Sequence, residues 1–254
     1  MIQHFLRSKL ERFREHHREG GLRRLLKLFA FYGCAHGWAL WLVDMQILGL
    51  AGPVEPQVLE QLPGYTFGFA TEMDLNMILS SVPVIDRSHL ERLFRKFFHD
   101  GSRCVIALFG SRVVGYMWAF SDKYVITLDD YRRRNLGVWL PSGAVFTGNA
   151  YVMLPHRGRG LFQRMKLYLM HDYPVGTNFY TSISDLNTPS LAANHKLGFK
   201  KLATLRFVRV FSRTLLYVRE KGERRWRPFR AGWPELKLDG TRLQIRPAER
   251  CTNP

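Results

Sequence analysis

Ile2, Phe5, Leu6, Leu10 and Phe13 fall on one face of a helix, with acidic and basic residues over the rest of its surface. Gly20 and Gly21 break that rhythm. Leu22, Leu25, Leu26, Phe29 and Phe31 then open a second, more apolar helix, which runs into the stretch 28–43, LFAFYGCAHGWALWLV, closed by Asp44. That stretch is shorter than the roughly 20 residues that cross a bilayer, and it contains His36. Gly52, Pro53 and Pro56 mark a linker, so residues 1–60 are expected to form a helical segment and its connection.

From residue 65 the periods change. Residues 65–71 read as a strand, 74–81 and 86–99 as helices, the second capped by Asp86 or Ser88. Two apolar runs, 104–109 and 113–120, flank Gly110 and Ser111 as a hairpin. Residues 124–141, interrupted by Arg132, Arg133 and Arg134, show no clear period and are expected to be an irregular insertion. Then follow a strand at 144–154, a helix at 161–170, a strand at 179–183, a helix at 189–197 and one long or two short strands over 199–218. This order predicts an α/β domain over 61–218 with a mixed sheet. A basic extension, 219–254, is expected to carry a hairpin turning at Asp239 and Gly240.

Hydrophobic residues make up 46% of the chain, enough for a sizeable core. Cys34, Cys104 and Cys251 lie far apart and form neither a disulfide framework nor a metal-ligand pair, which fits a reducing, cytoplasmic setting without a metal. The formal charge of +17 favours polyanionic partners: nucleic acid, anionic lipid or a phosphorylated ligand. A basic amphipathic helix followed by Trp38 and Trp41 suits the inner face of a membrane, and equally a helix packed on the domain or on a second copy in a homodimer. Trp226, Phe229 and Trp233 among arginines form an aromatic-basic strip of the kind that stacks on bases, or that covers a sheet edge.

The stretch 151–166, YVMLPHRGRGLFQRMK, carries the chemistry. An apolar strand enters a glycine-punctuated basic turn and then a helix. A helix N-terminus entered this way presents unpaired amides at the positive end of the dipole and binds phosphate. Gly158 and Gly160 let the backbone approach the anion, and Arg157 and Arg159 add charge. A Gly-x-Gly turn also suits an ordinary strand-to-helix connection. The Gly-Lys-Ser/Thr of a nucleotide-hydrolysing loop and the third glycine of a dinucleotide fold are absent.

This stretch resembles the acyl-CoA signature of the GNAT acetyltransferases, Gln/Arg-x-x-Gly-x-Gly/Ala, with Arg157 first and Gly160 fourth. Phe162 stands where that signature has Gly or Ala. Downstream, 187–199, NTPSLAANHKLGF, is similar to the family's second signature through Asn187, Gly198 and Phe199. The resemblance covers about 65–218. It implies a mixed central sheet with helices on both faces, acetyl-CoA or another acyl-CoA as co-substrate, and an amine acceptor on a sugar, lipid precursor, peptide or small metabolite.

It further implies that the 144–154 strand splays from its neighbour at a bulge. The pantetheine arm would pair near Val152 and Leu154, the pyrophosphate would lie on the amides from Arg157 to Leu161, and Asn187 would contact the arm. Many members carry a tyrosine seven residues after the equivalent of Asn187 to protonate the thiolate; here that position is Asn194, a poor proton donor. Tyr151 and Tyr180 are the hydroxyls near the expected gap, and Glu72, Asp74 and His156 are candidate bases. A nucleic-acid-associated protein and a non-catalytic partner with a degenerate GNAT-like site are the competing readings.

Overall fold

The computed structural model describes residues 41–50, 62–129, 134–210, 213–220, 224–228, 235–239 and 242–246. In chain order its strands are β1 (Trp41–Leu50), β2 (Tyr65–Ala70), β3 (Arg103–Phe109), β4 (Arg112–Phe120), β5 (Lys123–Asp129), β6 (Arg134–Trp139), β7 (Val145–Val152), β8 (Phe179–Ser184), β9 (Lys200–Val210), β10 (Arg213–Glu220), β11 (Arg224–Pro228), β12 (Glu235–Asp239) and β13 (Arg242–Arg246). The helices are α1 (Leu75–Ser80), α2 (Arg87–His99), α3 (Leu161–His171) and α4 (Thr188–Lys196). No helix among the described residues is long and apolar enough to cross a membrane.

Two compact units emerge. Among the described residues, the larger falls within 47–183, 187–202 and 235–246, the smaller within 41–46, 184–186 and 203–228. In the larger unit the strands run in the order β8-β7-β4-β3-β2, with β7 and β8 parallel and the remaining neighbours antiparallel. Side chains alternate across β4, and each set meets different helices. Tyr116, Trp118 and Phe120 face α2, whose Phe94, Phe97 and Phe98 rings sit 4.7–5.2 Å from them. On the other face Val114, Met117 and Ala119 join Leu161, Met165 and Leu169 of α3 in a single core, with Tyr168 of α3 against Phe67 and Phe69 of β2. The mixed sheet with helices on both faces is therefore as the sequence predicts.

The structure overturns two of the expectations. Residues 124–141 are not an irregular insertion: β5 and β6 form an antiparallel pair inside a second sheet, ordered β13-β12-β6-β5. Tyr124, Ile126, Leu136 and Val138 alternate into its buried face, where Leu236, Leu238 and Leu243 complete the layer. The β12–β13 hairpin expected in the basic tail is present, and β12 runs parallel to β6 through Leu236↔Val138 and Lys237↔Trp139.

The second correction concerns Trp41–Leu50, expected as the end of the helical segment and its linker but folded as a strand. A short apolar run has no period of its own, and partners far along the chain decide it. Within the smaller unit the carboxylate of Asp44 accepts from both Nε and Nη2 of Arg206 at 2.7 Å, a bidentate pair that fixes a polar residue inside that run. The same unit contains the antiparallel meander β9–β10–β11. The helices expected over 1–40, and the aromatic-basic residues Phe229 and Trp233, lie outside the described residues.

Candidate functional site

β7 and β8 pair for a short distance only: Val145↔Phe179, Phe146↔Tyr180 and Thr147↔Thr181. Two threonines lock the last rungs, Thr181 Oγ1 donating to Thr147 O at 2.8 Å and Thr147 Oγ1 to Tyr180 O at 3.2 Å. Past Thr147 no rung joins the two strands. There Asn149 adopts φ +45°, and the register of β7 against β4 shifts between Tyr116 and Trp118. A bulge of this kind bends one strand away from its neighbour. β7 continues to Val152 paired, among the described residues, with β4 alone, which leaves its other edge open among them.

The direction of the peptide groups follows from one bond. Met153 N–H donates to Val114 O at 2.8 Å, on the β4 side. Peptide groups alternate along a strand, so the N–H and C=O of Val152 point to the open side. The Val152 carbonyl accepts from Arg157 Nε at 2.9 Å, which lays the guanidinium over the open edge, 5.8 Å from the Tyr151 ring centre.

The chain then turns through a single 3-10 turn at Leu154–His156 and enters α3. Gly158 and Gly160 both have φ +76°, left-handed backbone that a side chain disfavours. Gly160 is the N-cap of α3 and supplies no side chain to cap it. Among the described residues, no acceptor meets the backbone amides of Gly158, Arg159, Gly160, Leu161, Phe162 or Gln163. Arg157 and Arg159 are exposed beside them, and Arg164 Nη1 reaches the Arg159 carbonyl at 3.4 Å. The result is a run of six amides without an acceptor among the described residues, at a helix N-terminus flanked in sequence by Arg157, Arg159 and Arg164. A helix N-terminus carries roughly half a positive charge, which is the physical basis of the anion site expected from the sequence.

The turn is anchored from the far side of the sheet. Tyr65 Oη and His156 Nδ1 are 2.8 Å apart, and Phe109 packs on both rings. Tyr65→Phe removes that bond from a half-buried site. We expect it to lower stability by about 1 kcal/mol, measurable by chemical unfolding, without a change of fold; an unchanged midpoint would show that the tyrosine does not anchor the turn.

Since β7 and β8 are parallel, α3 and α4 both start beyond the same end of the sheet, the end at which the strands part. Asn187 caps α4, its Oδ1 accepting from Ser190 N at 3.3 Å, and its Nδ2 has no acceptor among the described residues. Val152 and the turn from Arg157 to Leu161 follow the end of β7, Asn187 follows the corresponding end of β8, and Leu154 is exposed.

The candidate acid–base groups are spread more widely. Tyr151 lies on the open part of β7, half-buried, with Tyr116 5.9 Å away. Tyr180 is buried on the closed rungs opposite Phe146, about five strand positions, or roughly 15 Å, from Tyr151. Burial, and then Asp239, raise its pKa. Glu72 is exposed and paired with Arg95 of α2 at 3.0 Å. Asp74 is engaged at home, accepting from the Thr71 amide at 2.8 Å and its hydroxyl at 3.0 Å. Among the described residues there is no group of histidine, cysteine or carboxylate side chains that could hold a metal.

Sequence reasoning passes over Lys166. Asn194 is buried and accepts a hydrogen bond from Nζ of Lys166, itself fully buried on α3. The trace in the sequence is the row Phe162, Lys166, Met170, spaced four apart on one helix face, in which the lysine is the polar exception.

No protein-family model matches the chain, and no curated protein is similar enough in sequence to match it. Solved structures do. A tandem GNAT protein from the clavulanic acid biosynthesis pathway shares 15% identity over 72% of this chain and 55% of its own, with a TM-score of 0.48. A GNAT-family acetyltransferase from Colwellia psychrerythraea shares 12% over 70% and 60%, TM-score 0.42. The aminoglycoside N-acetyltransferase AAC(6')-Iy, in complex with CoA, shares 18% over 53% and 91%, TM-score 0.39. The chain spans 54–65% of the length of the first three structures it matches.

Proposed function

We propose that this protein binds acyl-CoA at the 158–163 turn and transfers its acyl group to an amine. The observation that carries the reading is the row of six backbone amides that meet no acceptor among the described residues, following a strand edge that has no partner among them. A diphosphate fits that row: the amides donate, and Arg157, Arg159 and Arg164 balance the charge. The arm of the substrate then lies along the open edge of β7, where the Val152 N–H is available. The Val152 carbonyl is held by Arg157, so the guanidinium either shifts when the arm pairs there or the pairing uses the N–H alone.

In this reading Asn187 Nδ2 reaches the arm from the start of α4, and Leu154 covers it from the turn. The thioester sits at the bulge, its carbonyl oxygen taking a hydrogen bond from a β7 amide, which stabilises the charge that develops on that oxygen when the amine attacks. Holding amine and thioester in one cleft supplies the remainder of the acceleration through proximity. Tyr151, on the open part of β7, is the hydroxyl placed to act there. Tyr180 and Glu72 lie further from the open edge and serve the reaction only through other groups.

Isothermal titration of the full chain with acetyl-CoA and with longer acyl-CoAs tests the proposal. Saturable binding that weakens as salt is added is the expected result, since charged phosphates meet arginines. An absence of saturable binding to every acyl-CoA tried refutes it.

A further inference from the structure

Tyr124 lies on the buried face of β5, and its ring reaches from the second sheet to β7. It stacks on Phe146 of β7 with 4.2 Å between ring centres, 14° from parallel, and meets Phe120 of β4 at 4.8 Å. The ring ends over Gly148. A methyl group on Gly148 would stand 2.9 Å from Tyr124 Oη, 3.0 Å from Cζ and 3.1 Å from Cε2, so a glycine there is what admits the phenol.

That contact fixes where the hydroxyl lies relative to the open edge. Gly148 follows Thr147, the last residue of β7 that pairs with β8. Gly148 is half-buried, while Asn149, with its φ of +45°, and Ala150 are exposed. Tyr124 Oη therefore touches the backbone at the root of the gap, at the residue where β7 leaves its neighbour.

The hydroxyl has no visible duty in the fold. Tyr124 is 8% exposed, and no hydrogen-bond partner meets Oη among the described residues. Phenylalanine would fill the same space between Phe120 and Phe146 and leave no polar atom unsatisfied, a state that costs free energy where water is scarce. A donor held against the first unpaired residue of a strand, with no acceptor of its own, fits an acceptor that arrives with a ligand. Burial pushes its pKa up to about 12, so the group keeps its proton and donates rather than acting as a base.

We propose that Tyr124 is a catalytic residue of acyl transfer, its hydroxyl donating a hydrogen bond to the thioester sulfur as that atom takes up charge. The inference rests on acyl-CoA binding at the 158–163 turn, which sets the thioester at the bulge beside Gly148. In that reading a β7 amide already serves the carbonyl oxygen, which leaves the sulfur as the atom that needs a donor. The amine nitrogen bonds to the acyl carbon, the bond from that carbon to sulfur breaks, and the sulfur departs as a thiolate. The surplus proton on nitrogen passes to water. Tyr124 keeps its own proton throughout and acts through a fixed dipole aimed at the developing charge.

Tyr124→Phe removes one oxygen and keeps the ring, and two measurements on it test the proposal. Chemical unfolding needs no ligand. The midpoint should equal or exceed that of the wild type, because no hydrogen bond is lost. A lower midpoint means that the hydroxyl serves the fold and overturns the proposal.

The second measurement pairs titration calorimetry with acetyl-CoA and release of the CoA thiol, with hydroxylamine as the probe amine. Tyr124→Phe should bind acetyl-CoA with unchanged affinity and release thiol on the order of 100-fold more slowly at saturation. Equal rates overturn the proposal, as does a wild type that binds acetyl-CoA and releases no thiol above the uncatalysed rate. If acetyl-CoA does not bind the wild type, the underlying function falls as well, and the titration tells that result from a failure of Tyr124 alone.

Discussion

Gly160→Val is expected to weaken CoA binding at least 100-fold, about 2.7 kcal/mol, while leaving the protein folded. Three effects act together. Gly160 has φ +76°, and a β-branched residue held there is strained by about 1–2 kcal/mol, so the turn relaxes to a different path. Its Cβ would stand 2.6 Å from Arg164 Nη1, displacing a guanidinium from the anion row. The isopropyl group would also occupy the space through which the phosphate approaches the amides. The arginine end is flexible and the site is at the surface, so the cost falls on the ligand more than on the core. Titration calorimetry together with a thermal melt separates the two. A variant that binds CoA as the wild type does would remove the turn from the site.

Phe94→Ala should produce the largest loss of stability, about 3–5 kcal/mol. Phe94 is fully buried and touches Phe97, Tyr116 and Trp118 at ring distances of 5.2–6.1 Å, so it joins α2 to the face of the sheet opposite α3. Its removal leaves a space walled by rings that cannot close in, because Tyr116 and Trp118 are fixed on β4. At about 2–4 °C per kcal/mol for a chain of this size, the melting temperature should fall by roughly 10 °C. The turn at 158–163 packs on the other face, so CoA affinity measured well below the new melting temperature should not change. A loss of less than about 1 kcal/mol would mean that the α2 face contributes little to the core.

These predictions rest on features of unequal visibility in the sequence. The strand–turn–helix from Val145 to His171 is legible because three local signals coincide: an apolar run, two glycines that must take positive φ, and a helical row beginning at Leu161. Asn187 and Gly198 stand out only through the resemblance of 187–199 to the second GNAT signature. What local signals miss is pairing at a distance. β5 and β6 look irregular because Arg132, Arg133 and Arg134 interrupt them, and the layer that buries Tyr124, Ile126, Leu136 and Val138 includes Leu236 and Leu238, about a hundred residues onward. Trp41–Leu50 misleads for the same reason, since an apolar run reads alike as helix or strand until its neighbours are known.

The open edge beyond Thr147 was anticipated by the resemblance to acetyltransferases, and its cause is visible only in the backbone: Asn149 at φ +45° and the register shift against β4. Lys166 shows the opposite failure. In a signature written for glycines and arginines, a lysine five residues into a helix reads as surface, and only packing against Asn194 and Phe199 reveals that it is interior.

Amide hydrogen exchange of the full chain, with and without saturating CoA, addresses the central claim most directly. If the turn receives the diphosphate, the amides of Gly158 through Gln163, which meet no protein acceptor among the described residues, should slow by at least tenfold on addition of CoA, whereas those of the β12–β13 hairpin should not. Exchange at that turn that is the same with and without CoA would contradict the account.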